Sequence, residues 1–422
     1  MKNKIAQEMM TFIDKSPSSF HAIANLAEMF EANGYEVLDE RKQWKLKKGG
    51  KYYVVRNGSA AIAFHIPAGE IKGFHMTSAH SDSPTFKVKE NPEMLAEDQY
   101  VKLNTEKYGG MIHSTWLDRP LSVAGRVTVK EDGQIVSKLV NIDKDLLVIP
   151  NLAIHMNREV NKGVEYNPQV DMLPLYGAGP KGQFMKQIAK AAKVKAEDIL
   201  SHDLFLYVRD KGRVIGKDGE YVLCPKLDDL QCVYASAKAM VESTPTGYIN
   251  VCVVFDNEEV GSGTKQGADS TLLTDTLVRI KEALGKTESD YLSWIADSFM
   301  ISADNAHAVH PNRPEKADPT NRPYLNGGIV VKYHGSQKYA TDAVSAAVLK
   351  DLCKEAEVPC QTFTNRSDSI GGSTLGNIST AHVSVSTVDI GLPQLAMHSA
   401  VETGGVKDTE YAVKMFKVFF AK

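Results

Sequence analysis

An unbroken apolar run at positions 251–255 is followed at once by Asp256, Asn257, Glu258 and Glu259, then by Gly261 and Gly263. A short, continuous, β-branched run predicts a buried strand, and the glycines predict the turn that leaves it. Two adjacent glutamates at the mouth of a sheet repel each other and lose hydration, so the position needs a reason. A solvated acidic loop and a cation site both satisfy the pair taken alone. The rest of the chain has to decide.

In open parallel sheets, ligands collect at the carboxyl ends of the strands. The run "GFHMTSAHSD" delivers His80 and Asp82, and "YVLCPKLDDL" delivers Asp228 and Asp229 just before a helix. "SFMISADNAHAVHP" delivers Asp304, then His307 and His310, and "VSTVDIGLPQLAMHSAVE" delivers His398 with Glu402 one turn later. Each is weak by itself. A strand-end histidine is commonly a satisfied polar residue, and Asp228 and Asp229 could be caps of the helix they precede. Capping alone does not explain why every such run ends in imidazole or carboxylate. The mixture, with no thiolate, suits a hard-to-borderline divalent metal. A paired site needs two histidines, a bridging carboxylate and one carboxylate per ion, which leaves one glutamate over as a base.

The elements that must position these residues read as an interrupted α/β domain. "KYYVVRNGSAAIAFHI" and "GFHMTSAHSDSP" alternate strand and turn signals. From Pro92 the character changes: "WLDRPLSVAGRVTVKEDGQIVSKLVNI" predicts short strands with a turn at Glu131, Asp132 and Gly133. After Pro225, long helices again alternate with apolar strands, which predicts a mostly parallel central sheet flanked by helices. The division expected is an α/β domain from 1–91 and 222–422, with a β-rich insertion at 92–221. The start reads as two helices broken at Ser16-Pro17-Ser18-Ser19, without the apolar core of a signal peptide.

Composition narrows the function. The 422 residues are 43% hydrophobic and 24% charged, with net charge −3, so nothing draws the chain to nucleic acid or an anionic membrane. No stretch approaches a membrane span. Five cysteines without a CxxC pair argue against a disulfide framework and a thiolate zinc site, and read as core residues of a cytoplasmic protein.

The stretches "SAHSDSPTFKVKENP", "PKLDDL", "DNEEVGS", "SADNAHAVHPN" and "MHSAVE", with "IPNLAIHMNR" and "GGIVVKYHGSQKYATD", resemble, in order, the signature segments of the M18 family of metallo-aminopeptidases. "PKLDD" departs from the usual Pro-Arg-Leu-Asp-Asn, though not at the ligand position. The resemblance implies a two-zinc catalytic domain of the zinc-peptidase type, with Co2+ or Mn2+ as alternatives at one site. It also implies an inserted β-rich dimerisation domain and a tetrahedral homododecamer built from dimers. Carried over by position, His80 and Asp304 would each ligate one ion, Glu259 and His398 the other, and Asp228 would bridge them. Glu258 would be the general base acting on a metal-bridging water. His155, in the insertion, would reach a neighbouring subunit's site.

Two further residues are read from position. Asp82, two residues from His80, could orient that imidazole or simply belong to the turn "SDSP". Lys332, ending the apolar run "GGIVV", could bind an acidic N-terminal side chain of the peptide substrate. Neutral or basic N-terminal preference is the alternative, and a deacylase or cellulase-like relative, or a non-catalytic cage of the same fold, are further ones. The loop 365–376, "NRSDSIGGSTLG", could line a substrate pocket. Gly177, Gly179 and Gly182 spell a dinucleotide-type motif before a helix, but Pro174 and the β-rich context oppose it.

Overall fold

The computed structural model describes residues 3–422. Its fold is mixed α/β, with three sheets. The largest has nine strands, in the order Glu36–Val37, Lys51–Arg56, Ala60–His65, Tyr248–Phe255, Gly73–His80, Phe299–Ala303, Ser386–Gly391, Ile329–Tyr333 and Cys360–Thr364. Tyr248–Phe255, Gly73–His80, Phe299–Ala303 and Ser386–Gly391 run parallel. Antiparallel pairs flank them on both sides. Burial on both faces explains the continuous apolar runs. Along Tyr248–Phe255 the side chains alternate. Cys252 and Val254 join the core packed by helices Lys4–Asp14, Ser19–Ala32, Leu227–Val241, Ala343–Glu355 and Asp408–Phe420. Val251, Val253 and Phe255 join the opposite core, under Leu272–Ala283 and Glu288–Ala296.

The second sheet is wholly antiparallel, in the order Gln134–Asn141, Leu121–Glu131, Ser201–Val208, Thr85–Ala96, Tyr100–Tyr108 and Leu175–Ala178. Pro92, where the sequence changes character, lies inside Thr85–Ala96. The hairpin turn is where the sequence predicts it: Glu131 pairs with Gln134, while Asp132 and Gly133 both have positive φ (49° and 80°). That is the geometry a two-residue hairpin loop requires. Helix Phe184–Ala192 covers this sheet with Phe184, Ile188 and Ala192. Its first backbone N–H groups, from Gly182, Gln183 and Phe184, are taken by the Glu93 carboxylate. The N–H groups that the glycine motif would offer a phosphate at the start of this helix are thus occupied by Glu93.

A small third sheet holds Arg213–Ile215, Tyr221–Cys224, Glu402–Gly405, Pro393–Leu395 and Ala306–His307. Two of the expected strand ends belong here and not to the nine-stranded sheet: Tyr221–Cys224 leads to Asp228, and Pro393–Leu395 leads to His398. Among the described residues, no helix is long and apolar enough to cross a membrane.

Candidate metal centre

His80 ends its strand, Asp304 follows Phe299–Ala303, and Glu258 and Glu259 form a short 3₁₀ turn after Tyr248–Phe255. Asp228 opens helix Leu227–Val241 with non-helical backbone angles, and Lys226, the residue before the helix, makes no side-chain cap. The capping role open to it from sequence is not the one it plays. Its carboxylate instead lies between two imidazoles, with Oδ1 3.3 Å from His80 Nε2 and Oδ2 3.5 Å from His398 Nε2. Asp304 Oδ1 is 3.9 Å from His80 Nε2, and Glu259 Oε2 is 3.3 Å from His398 Nε2. Two donor triads result, His80–Asp228–Asp304 and Asp228–Glu259–His398, with Asp228 common to both. His80, Glu258 and Glu259 form a third close group.

Electrostatics shows what this packing costs. Burial first, then Asp304, Asp228 and Asp82, raises the Glu258 pKa to about 8, with His80 opposing. Glu259 is pushed well up by burial, then by Asp228 and its neighbouring glutamate. Burial also works against a charged Asp228, but His398 and His80 outweigh it and hold that carboxyl low. Burial lowers His398, yet Asp228 lifts it to about 9. Asp228 Oδ1 and Glu259 Oε1 are buried without a hydrogen-bond partner. Buried carboxylate oxygens without partners, beside two imidazoles in a cluster of four acids, form a donor set that suits a divalent metal.

The supporting contacts are specific. Asp82 holds the His80 ring, whose Nδ1 is 3.1 Å from the Asp82 carbonyl oxygen and 3.3 Å from Oδ1. The same carboxylate accepts the backbone N–H of Glu258 (3.1 Å) and of Glu259 (3.2 Å). It is thus more than a turn residue. Glu402 accepts the backbone N–H of His398 (2.8 Å) and of Asp228 (3.0 Å). The sequence marked Glu402 only as a carboxylate four residues after His398, with no role attached. Asp229 accepts the His80 N–H at 3.2 Å. Tyr108, on the second sheet, donates to Asp82 at 2.7 Å, and nothing in the sequence pointed to it.

Lys332 is 3% exposed, with Nζ 3.5 Å from Asp304 Oδ2. His307 belongs to neither donor triad and packs its ring against Phe363; with His310 it lines a cavity of about 290 Å³ that also takes in Asn365, Arg366 and Ser369. His155 is exposed and makes no hydrogen bond or ion pair among the described residues. The single chain does not bring it to the cluster. Leu152, Ile154 and Met156 beside it are also exposed.

The sequence model of a family described as aminopeptidase I zinc metalloprotease (M18) matches residues 12–420. A curated protein from Clostridium novyi (strain NT), named probable M18 family aminopeptidase 2, is 49% identical over the full length of both chains. The cryo-EM structure of the Ape4 and Nbr1 complex superposes with a TM-score of 0.95 at 36% identity, covering 99% of this chain and 85% of that one. The S. cerevisiae mApe1 dodecamer superposes with a TM-score of 0.86 at 28% identity, covering 99% and 96%.

Proposed function

The chain belongs to the M18 family of zinc aminopeptidases, and from that premise we propose that it holds two zinc ions per subunit and prefers an acidic N-terminal residue. The observation that carries the first part is the sharing of Asp228 between two triads, each completed by a histidine and a second carboxylate. His80 and Asp304 would hold one ion, Glu259 and His398 the other, with Asp228 between them. Glu259 is favoured over Glu258 as the ligand because it stands with His398. Bound zinc, or Co2+ or Mn2+ at one site, supplies Lewis-acid polarisation of the scissile carbonyl and acidifies water. Glu258 takes a proton from the attacking water and delivers it to the leaving amine nitrogen. A carboxyl whose proton affinity burial has raised is suited to holding that proton between the two steps. Asp82 keeps the His80 ring and both glutamates in register.

Acidic preference rests on Lys332, a buried cation beside the cluster. Its contact with Asp304 supports a second reading, in which Lys332 serves as the counter-charge of that ligand and the N-terminal preference is neutral or basic. The division into 1–91 with 222–422 and an inserted 92–221 dimerisation domain is part of the proposal. So are the tetrahedral dodecamer built from dimers and a cytoplasmic location, the latter supported by cysteines that form no disulfide among the described residues. His155 and its exposed apolar neighbours would then meet another subunit. Mixing Glu258→Gln with His155→Ala subunits should restore activity that neither has alone. No recovery in confirmed mixed oligomers would mean that each subunit builds its own site.

The reading is tested by a panel of chromogenic amino-acid amides assayed with zinc, cobalt and manganese in turn, with and without chelator. Chelator-sensitive release led by aspartyl and glutamyl amides is expected. Leucyl or lysyl amides leading under every metal would remove the acidic preference. No release at all would favour a non-catalytic cage.

A further inference from the structure

His80 ends a strand of the first sheet, Asp304 and Glu259 follow strands of that sheet, and Asp228 and His398 follow strands of the third. Yet a segment of the second reaches the cluster too. Strand Tyr100–Tyr108 ends there, and its last residue and the next two meet Asp82, Glu259 and His398. The Tyr108 hydroxyl donates to Asp82 Oδ2 (2.7 Å) and accepts from Asn257 Nδ2 (2.8 Å). Gly109, at φ +77°, passes so close to Glu259 that a Cβ there would lie 3.1 Å from the Glu259 Cβ. The Gly110 carbonyl oxygen is 2.9 Å from His398 Nδ1, and the Ile112 N–H donates to the His398 carbonyl at 3.0 Å.

The hydrogen-bond accounting at Tyr108 is closed. Asn257 Oδ1 accepts from Thr264 Oγ1 and Gln266 Nε2, both at 2.8 Å, so its NH2 group faces the tyrosine as donor. A hydroxyl that accepts there has one proton to give, and Asp82 receives it. Asp82 in turn holds the N–H groups of Glu258 and Glu259, and Asn257 is the left-handed residue (φ 64°) that starts their turn. Both arms from Tyr108 therefore end on the same two glutamates.

We propose that Tyr108 is a positioning residue that sets the orientation of Glu258 and Glu259 from the second sheet, through Asp82 and Asn257. The inference rests on the two-ion reading above. Tyr108→Phe removes the hydroxyl and leaves the ring to pack edge-on against Phe205, 5.6 Å away. Loss of such an outer hydrogen bond weakens metal binding or turnover by about 10–100-fold.

The test titrates apo wild type and Tyr108→Phe with Co2+, reading the visible absorption, the dissociation constant and the melting temperature, with kcat and KM measured separately. The expected result is a Co2+ affinity about 10–100-fold weaker, an altered visible spectrum and a lower kcat with KM nearly unchanged. A melting temperature close to wild type would accompany it. A variant with wild-type Co2+ affinity and spectrum would overturn the proposal. Should Tyr108→Phe fail to fold, Asn257→Gly, which tolerates the positive φ, carries the test: weakened Co2+ affinity supports it and wild-type affinity overturns it. Wild type that takes up no Co2+ would instead overturn the two-ion reading itself.

Discussion

His75 and His80 share one strand, five residues apart, and both are buried, yet their surroundings shift their proton affinities in opposite directions. His75 is stacked between Tyr248 (centroids 3.8 Å) and Phe419 (4.5 Å), with the Phe419 carbonyl 3.1 Å from Nδ1. Burial lowers its pKa to about 4. At His80 burial pulls the same way, but Asp228, Asp304 and Asp82 overcome it and raise the imidazole well above its ordinary value. Desolvation does not decide the outcome; the partners do. The aromatic end of the strand is a finished piece of core. The carboxylate end instead gathers acids around two imidazoles, with buried carboxylate oxygens that make no hydrogen bond and suit a cation.

The contrast can be broken most severely at the carboxylate end. Glu258→Gln keeps the shape of the side chain and removes its capacity to accept a proton. Turnover should fall about 10²–10⁴-fold, measured as kcat on the best amide of the panel. Wild-type turnover would exclude Glu258 as the base.

Lys332→Met is next. If Lys332 reads an acidic side chain, kcat/KM for aspartyl amides should fall by the equivalent of about 2–5 kcal/mol, with leucyl amides little changed. If Lys332 serves Asp304, both substrates should lose rate together and metal content should drop. Parallel kinetics on the two amides separate the cases.

The aromatic end is broken by acid. The folded-state pKa of His75, about 4, lies below the ordinary 6.5, so neutral His75 favours the folded state. That contribution is present above pH 6.5 and is lost as pH falls toward 4. It amounts to about 3 kcal/mol at most. His21 and His65 are lowered in the same way by burial, so His75→Phe should flatten part of the acid limb of stability, not all of it. Urea midpoints at several pH values would show this, and an acid limb unchanged by the substitution would contradict it.

The same strand shows how far the sequence could be read. Period and flanking residues identified "GFHMTSAH" as buried strand and placed His80 at its end, and similar patterns placed Asp304 and the glutamate pair. Residue type at a strand end was enough to nominate donors. It could not show that Asp228 and His398 follow strands of a separate small sheet, because strands of three or four residues leave almost no periodic signal. Nor could it show Tyr108, which acts across sheets from a position whose neighbours carry no ligands. Asp82 was ambiguous for another reason: a turn aspartate and an orienting aspartate look identical until the N–H groups of Glu258 and Glu259 are seen to end on it. Lys332 was legible as a strand-end cation, whereas its pairing with Asp304 required the fold.

In the two-ion reading Asp228 is shared, Glu259 is a ligand and Glu258 is free to act, so the two adjacent glutamates should differ in what their loss does to metal content. That difference is measured as metal content per subunit after dialysis of wild type, Glu258→Gln and Glu259→Gln. The two-ion reading requires two ions in wild type, two in Glu258→Gln and one in Glu259→Gln. A single ion in wild type, or loss of an ion from Glu258→Gln with Glu259→Gln intact, would contradict it.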